Sequence, residues 1–194
     1  MKNLLVVIDM VNGFVNFGAL ADKNIGKVTP TIIKMMDDAK KNNFKILAFK
    51  DCHNKDDEEF KTYPPHCLKG TPESELVPEL KKLENKFDYI IGKNTTNGFV
   101  TNEFKELLKS NKYDNVVVCG CCTDICVINF VESYMQYIKK ENLDTNIYVI
   151  KNACYTFDGP SHNAEDCHNN ALKQMEKMGA EVVRYPSKEC EKVL

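Results

Sequence analysis

Apolar positions in this chain follow two rhythms: short unbroken runs, and longer stretches spaced three or four residues apart. The run Leu4-Leu5-Val6-Val7-Ile8 is wholly apolar until it meets Asp9, the pattern of a strand buried on both faces of a parallel sheet. Further short β-rich runs stand at 45–50, 89–91, 116–119, 147–150 and 181–183. Between them, helical spacing covers the regions near 28–42, 74–83, 101–110, 124–140 and 162–178, the last closed by Gly179. This alternation predicts an α/β protein: a three-layer α/β/α sandwich with a doubly wound, mainly parallel sheet and right-handed crossovers. There is no internal repeat or Pro/Gly/Ser linker, so residues 1–194 read as a single domain. One stretch, 51–72, is too polar for core and too long for an ordinary connection. Loops of that kind tend to carry function.

Composition narrows the function classes. With 43% hydrophobic residues, 28% charged and a net charge of −2, the chain is globular in type and no polyanion binder. Of its 26 basic residues only Arg184 is an arginine, which leaves almost none of the bidentate contacts that read bases or clamp phosphates. No nucleic-acid partner is expected. No run approaches the roughly 18 apolar residues of a membrane span, and Met1-Lys2-Asn3 leads into the first strand without a signal-peptide pattern. The expected location is cytoplasmic, with no membrane partner. Nine cysteines is an odd count, and Cys119, Cys121, Cys122 and Cys126 crowd too closely to pair among themselves. Reduced thiols follow.

In open α/β sheets ligands bind at the carboxyl ends of the strands, so the residues just after each strand are the candidates for chemistry. They are Asp9, then Asp51-Cys52-His53, then Lys93, then Gly120-Cys121-Cys122-Thr123-Asp124-Ile125-Cys126. Each alone has a plain structural use, as a turn cap, a surface charge or a small buried hydrophobe. Their gathering on one rim favours a site. A helix starting near Thr123 would hold Cys126 in its first turn, where free N–H groups, the helix dipole and Lys93 would all lower the thiol pKa. The same N–H groups could receive an oxyanion. Cys119, Cys121 and Cys122 read as packing, since their spacing lacks the two-residue gap of a chelating pair. Asp51, His53 and His66 offer a carboxylate and two imidazoles, a donor set suited to Zn²⁺ or another first-row divalent ion. An Asp-x-His pair serves equally well as a loop hydrogen bond. His162 and His168, on the last predicted helix, read as solvated side chains or caps.

The segments VVIDMVNGF (6–14), KDCH (50–53), YPPHCLKGTPESEL (63–76), GKNTTNGF (92–99) and GCCTDICV (120–127) resemble the isochorismatase-like cysteine hydrolases, and within them the nicotinamidase/pyrazinamidase group. The resemblance implies a catalytic triad of Asp9, Lys93 and Cys126, and a non-proline cis peptide between Cys121 and Cys122. It also implies an oxyanion hole formed by the Cys122 and Cys126 N–H groups. A divalent ion, Zn²⁺ with Mn²⁺ or Fe²⁺ as alternatives, would be held by Asp51, His53 and His66. A loop glutamate would complete its shell, Glu59 ahead of Glu58. Phe14 and Tyr63 would flank a flat substrate, with Phe99 nearby. The implied activity is hydrolysis of the small amide nicotinamide to nicotinate and ammonia through a cysteine thioester, in a homo-oligomer. Val11 and Gly13 depart from the family's usual Gln and acidic residue, and Cys121 and Cys122 replace small aliphatic residues. These changes touch the pocket and leave the triad whole. Rival readings are a related hydrolase of N-carbamoyl or ureido compounds, and a non-catalytic metal-binding or thiol redox-sensing protein.

Overall fold

The computed structural model describes residues 1–190 and 193–194. Six strands, β1 (Asn3–Ile8), β2 (Lys45–Asp51), β3 (Tyr89–Lys93), β4 (Asn115–Gly120), β5 (Asn146–Cys154) and β6 (Glu181–Val183), form one sheet in the order β3-β2-β1-β4-β5-β6. Every adjacent pair is parallel. The helices are α1 (Asn12–Val15), α2 (Thr29–Lys41), α3 (Pro78–Lys81), α4 (Asn102–Ser110), α5 (Ile128–Glu141) and α6 (Ala164–Met178). This is the doubly wound arrangement that the alternating pattern predicts. The central strands β1 and β4 are fully buried along Leu4–Ile8 and Val116–Gly120, as covered parallel strands must be. Chain order reverses on either side of β1, and the crevice at such a switch point is where these sheets bind ligands.

Local chemistry explains most boundaries. Helix α2 opens with a proline in its first turn and closes on Lys40 and Lys41, cations at the negative end of its dipole. At α6, the Asn163 side chain accepts the Asp166 N–H, and Gly179 at φ 108° takes the left-handed exit. Three expectations need correction. The helix expected over 74–83 is reduced to two short turns, Pro72–Ser74 and Pro78–Lys81, because each proline lacks the N–H that a continuous helix would need. The helix expected from 124 onward starts instead as a wide turn, Thr123–Val127, before α5 proper. Strand β5 also runs past its predicted end at Ile150 to Cys154, across a register shift opposite Val118 and Gly120.

Candidate active site

The ends of β1, β2, β3 and β4 converge. Asp9 leaves β1 in the left-handed region, at φ 52°, with no exposure to solvent. An aspartate tolerates that conformation better than a bulky residue, and its neighbours hold it there. Asp9 N donates to Phe49 O at 3.0 Å, and the Cys121 thiol donates to Asp9 O at 3.1 Å. Gly120 makes the approach possible: at φ 118°, a Cβ on it would sit 2.1 Å from Ile8 O. Lys93 and Asp51 end β3 and β2 and are register partners. The Lys93 ammonium lies 2.7 Å from Asp9 Oδ2, 2.7 Å from Asp51 Oδ1 and 3.8 Å from Cys126 Sγ.

Electrostatics follows from this crowding. Burial pushes the Asp9 carboxyl up to about 7, against the pull of Lys93 and with Asp51 adding to the rise. Lys93 is held well above its ordinary value, because Asp9, Cys126 and Asp51 outweigh its burial. Burial also raises the Cys126 thiol well above its ordinary value, and the downward pull of Lys93 does not offset it. The expectation of a lowered thiol pKa is therefore corrected. Cys126 is the fourth residue of the wide turn and only 6% exposed, so desolvation outweighs what the turn and the lysine supply. At rest the proton stays on sulfur, with a carboxylate that titrates near neutrality beside it. The Cys121–Cys122 peptide bond is cis.

Cys122 and Cys126 face a cavity of about 580 Å³ whose other walls include Phe14, Tyr63, His66 and Phe157. The same cavity meets a second cluster. Asp51, His53, Glu59 and His66 each offer one donor atom, and the four atoms lie within 4.8 Å of one another. The Nε2 atoms of His53 and His66 both lie 3.0 Å from Asp51 Oδ2, and both lie 3.7 Å from Glu59 Oε1. Ligands of one tetrahedral zinc, each about 2.0–2.2 Å from it, stand roughly 3.3 Å apart, so these residues fit such an ion. The outer nitrogens are already committed: His66 Nδ1 bonds Pro64 O at 2.8 Å, and His53 Nδ1 meets Asp57 Oδ2 at 3.3 Å. That is how metal-binding imidazoles are usually oriented. Despite its burial, Asp51 is held below the usual carboxylate range by Lys93 and by hydrogen bonds from both histidines. Glu58, the alternative to Glu59, is exposed and pairs with Lys61.

Phe14, Tyr63, Cys122, Cys126, Glu59 and His66 thus share one cavity. Phe99 does not join them. Its ring packs among Phe104, Phe130, Tyr134 and Tyr137 beside α4 and α5, so its placement near the substrate is corrected. Both last-helix histidines also have partners. His162 precedes α6 and contacts Asp124, and buried His168 contacts Thr123 Oγ1 at 2.9 Å. Among the described residues, Phe157 is a cavity residue that sequence reasoning missed. It follows the true end of β5, so the strand-end rule would have caught it had β5 been extended to Cys154.

Sequence comparison supplies the lineage. The isochorismatase domain profile matches residues 3–186. This chain belongs to the isochorismatase family. Nicotinamidase 1 of Arabidopsis thaliana is 35% identical over an alignment covering 92% of this chain and 84% of that protein. The pyrazinamidase/nicotinamidase of Streptococcus mutans superposes with a TM-score of 0.78 at 27% identity, covering 94% of this chain and 100% of that one. A zinc complex of the Pyrococcus horikoshii pyrazinamidase superposes with a TM-score of 0.74 at 23% identity, covering 95% of this chain and 100% of that one. The family's members here include nicotinamidase-like hydrolases, and the six-stranded parallel sheet is their fold. No helix among the described residues is long and apolar enough to cross a membrane.

Proposed function

We propose that the protein is a nicotinamidase: it hydrolyses nicotinamide to nicotinate and ammonia through a thioester on Cys126. The observation that carries this reading is the shared cavity. The Cys126 thiol lines it, backed by the buried Lys93 ammonium and the Asp9 carboxyl that titrates near neutrality, and Glu59 and His66 bring the zinc-compatible donor set to the same cavity. A flat heteroaromatic amide has a place for each end. Its carboxamide lies against Cys126, and its ring lies between Phe14 and Tyr63 with the ring nitrogen toward the Asp51, His53, Glu59 and His66 set. Those four residues would hold a zinc ion, which would supply a Lewis-acidic anchor for the ring nitrogen.

Asp9 takes the proton from Cys126 Sγ as the sulfur attacks the carboxamide carbon. The carbonyl oxygen gains the negative charge and is received by the Cys122 and Cys126 N–H groups. As the tetrahedral adduct collapses, the C–N bond breaks and Asp9 returns its proton to the departing ammonia. A water then enters, loses a proton to Asp9 and attacks the thioester carbon. Nicotinate leaves and the Cys126 thiol regains its proton from Asp9. Lys93 keeps its charge throughout, holds Asp9 and Asp51 in place, and stabilises the thiolate that forms briefly 3.8 Å away.

Ammonia release over a panel of nicotinamide, pyrazinamide, benzamide and N-carbamoyl compounds, with and without chelation, tests the reading. Nicotinamide and pyrazinamide should be hydrolysed and benzamide should react poorly, because it lacks the ring nitrogen. Chelation should abolish that preference. Selective release from N-carbamoyl compounds would replace this reading with the related hydrolase.

A further inference from the structure

Asp124 sits in the same turn as Cys126 and is tied to a segment far along the chain. His162 Nε2 lies 2.6 Å from Asp124 Oδ2, and His162 Nδ1 lies 2.9 Å from the carbonyl oxygen of Phe157. The imidazole stacks flat on the Phe157 ring, with centroids 4.0 Å apart and planes within 5°. The segment also closes on itself: Gly159 N donates to His162 O at 2.8 Å, and His162 N donates to Gly159 O at 3.1 Å. Residues 157–160 form one wall of the active-site cavity. One side chain therefore joins that wall to the turn bearing the nucleophile.

The partners define the protonation state. A carbonyl oxygen can only accept, so Nδ1 carries a hydrogen; an ionised carboxylate can only accept, so Nε2 carries one too. His162 is then an imidazolium in a charge-assisted pair. Burial opposes that charge, but the Asp124 hydrogen bond and the Phe157 carbonyl prevail, and the pKa lies above its ordinary value. The other titratable groups at this corner are Asp158 on the same segment, Asp22, Tyr155, and Glu165, Asp166, Cys167 and His168 on α6, and burial holds the His168 imidazole below its ordinary value. The Cys167 sulfur lies within 4.8 Å of the Asp124 and His162 donor atoms. However, 2.6 Å between Asp124 and His162 is a hydrogen bond and is shorter than the roughly 3.3 Å edge of a zinc tetrahedron. This trio holds a proton.

We infer that His162 is a positioning residue for the substrate: doubly protonated, it clamps the Phe157–Pro160 wall to the Cys126 turn, and losing a proton loosens the wall and weakens substrate binding. A neutral ring can donate only once, so either the Phe157 carbonyl or the Asp124 carboxylate would face a lone pair. The substrate in this statement rests on the nicotinamidase reading; the clamp itself does not.

Two measurements on the full-length, metal-loaded protein separate the two. In the substrate-free protein, nitrogen NMR should show both His162 nitrogens protonated at about pH 7, above the ordinary histidine midpoint. In steady-state assays, His162→Gln and His162→Ala should raise KM for nicotinamide roughly 10-fold while kcat stays within about twofold, as expected when only binding is lost. The parent's KM should climb with pH toward the variants' value, and theirs should stay flat. A neutral His162 at that pH, an unchanged KM, or a second metal equivalent lost on Cys167→Ser would overturn the proposal. If the parent hydrolyses no amide, the nicotinamidase reading falls, and the NMR result alone decides the clamp.

Discussion

Two histidine–carboxylate clusters flank the active site, one lining its cavity through Glu59 and His66 and the other joined to the Phe157–Pro160 wall through His162, and they differ in what their geometry can hold. In the first, two imidazole nitrogens share one Asp51 oxygen at 3.0 Å, with Glu59 facing both at 3.7 Å, and His53, His66 and Asp51 are all at most 2% exposed. Two buried imidazolium ions side by side would be costly, so a single cation shared by four donors is the economical occupant. In the second, one nitrogen meets one carboxylate oxygen at 2.6 Å, and the two side chains keep about a fifth of their surface, 21% and 18%. A proton suffices there. Similar composition thus gives a metal-compatible site in one place and an ion-paired clamp in the other, and donor spacing separates them where residue type cannot.

The largest effect expected is on the chemistry that both clusters serve. Cys126→Ala should lower turnover by roughly 10⁴-fold or more, the scale seen when a covalent nucleophile is removed, while circular dichroism and metal content stay as in the parent. Activity near the parent's would remove the chemistry that both clusters serve.

The comparison breaks most directly on metal content. The purified protein should hold about one divalent ion per chain, His66→Ala should release it, and kcat/KM for nicotinamide should fall by about 10²-fold, in line with losses at metal shells. Asp124→Asn should leave the ion in place. Loss of metal from the second variant with retention in the first would invert the assignment.

The pH profile sharpens it. The Asp9 carboxyl is raised by burial to about 7, and only its ionised form can accept the Cys126 proton. kcat/KM should therefore fall about tenfold per unit as pH drops below that value. The His162 contribution runs the other way. Its folded-state pKa is raised, so its stabilisation is complete below the ordinary histidine range and is lost as pH rises through the elevated value. The gap in melting temperature between parent and His162→Ala should narrow as the solution is made alkaline. The smallest effect is expected at Phe99. Phe99→Leu should leave KM unchanged and cost about 1 kcal/mol of stability, since its ring belongs to the aromatic packing beside α5.

Much of the scaffold is legible in the chain. Strands buried on both faces announce themselves as unbroken apolar runs, and their ends place Asp9, Asp51, Lys93 and the Gly120–Cys126 turn on one rim. What periodicity cannot convey is which distant segment folds over that rim. The partners of His162 and His168 lie about 40 residues away, at Asp124 and Thr123, and no local pattern encodes such pairings. Phe99 follows an Asn-Gly pair on the same rim, yet its ring turns toward Tyr134 because a large apolar cluster is available there. The direction of the Cys126 pKa shift was equally hidden. It depends on burial, which only the packed structure reveals.

The central claim is that nicotinamide passes through a thioester on Cys126. Rapid acid quench during the first turnover, followed by peptide mass mapping, tests it most directly. Ammonia should appear before nicotinate, with a nicotinoyl group on the peptide carrying Cys126 and none in Cys126→Ala. Ammonia and nicotinate rising in step while Cys126 stays unmodified, or a nicotinoyl group on another residue, would contradict it.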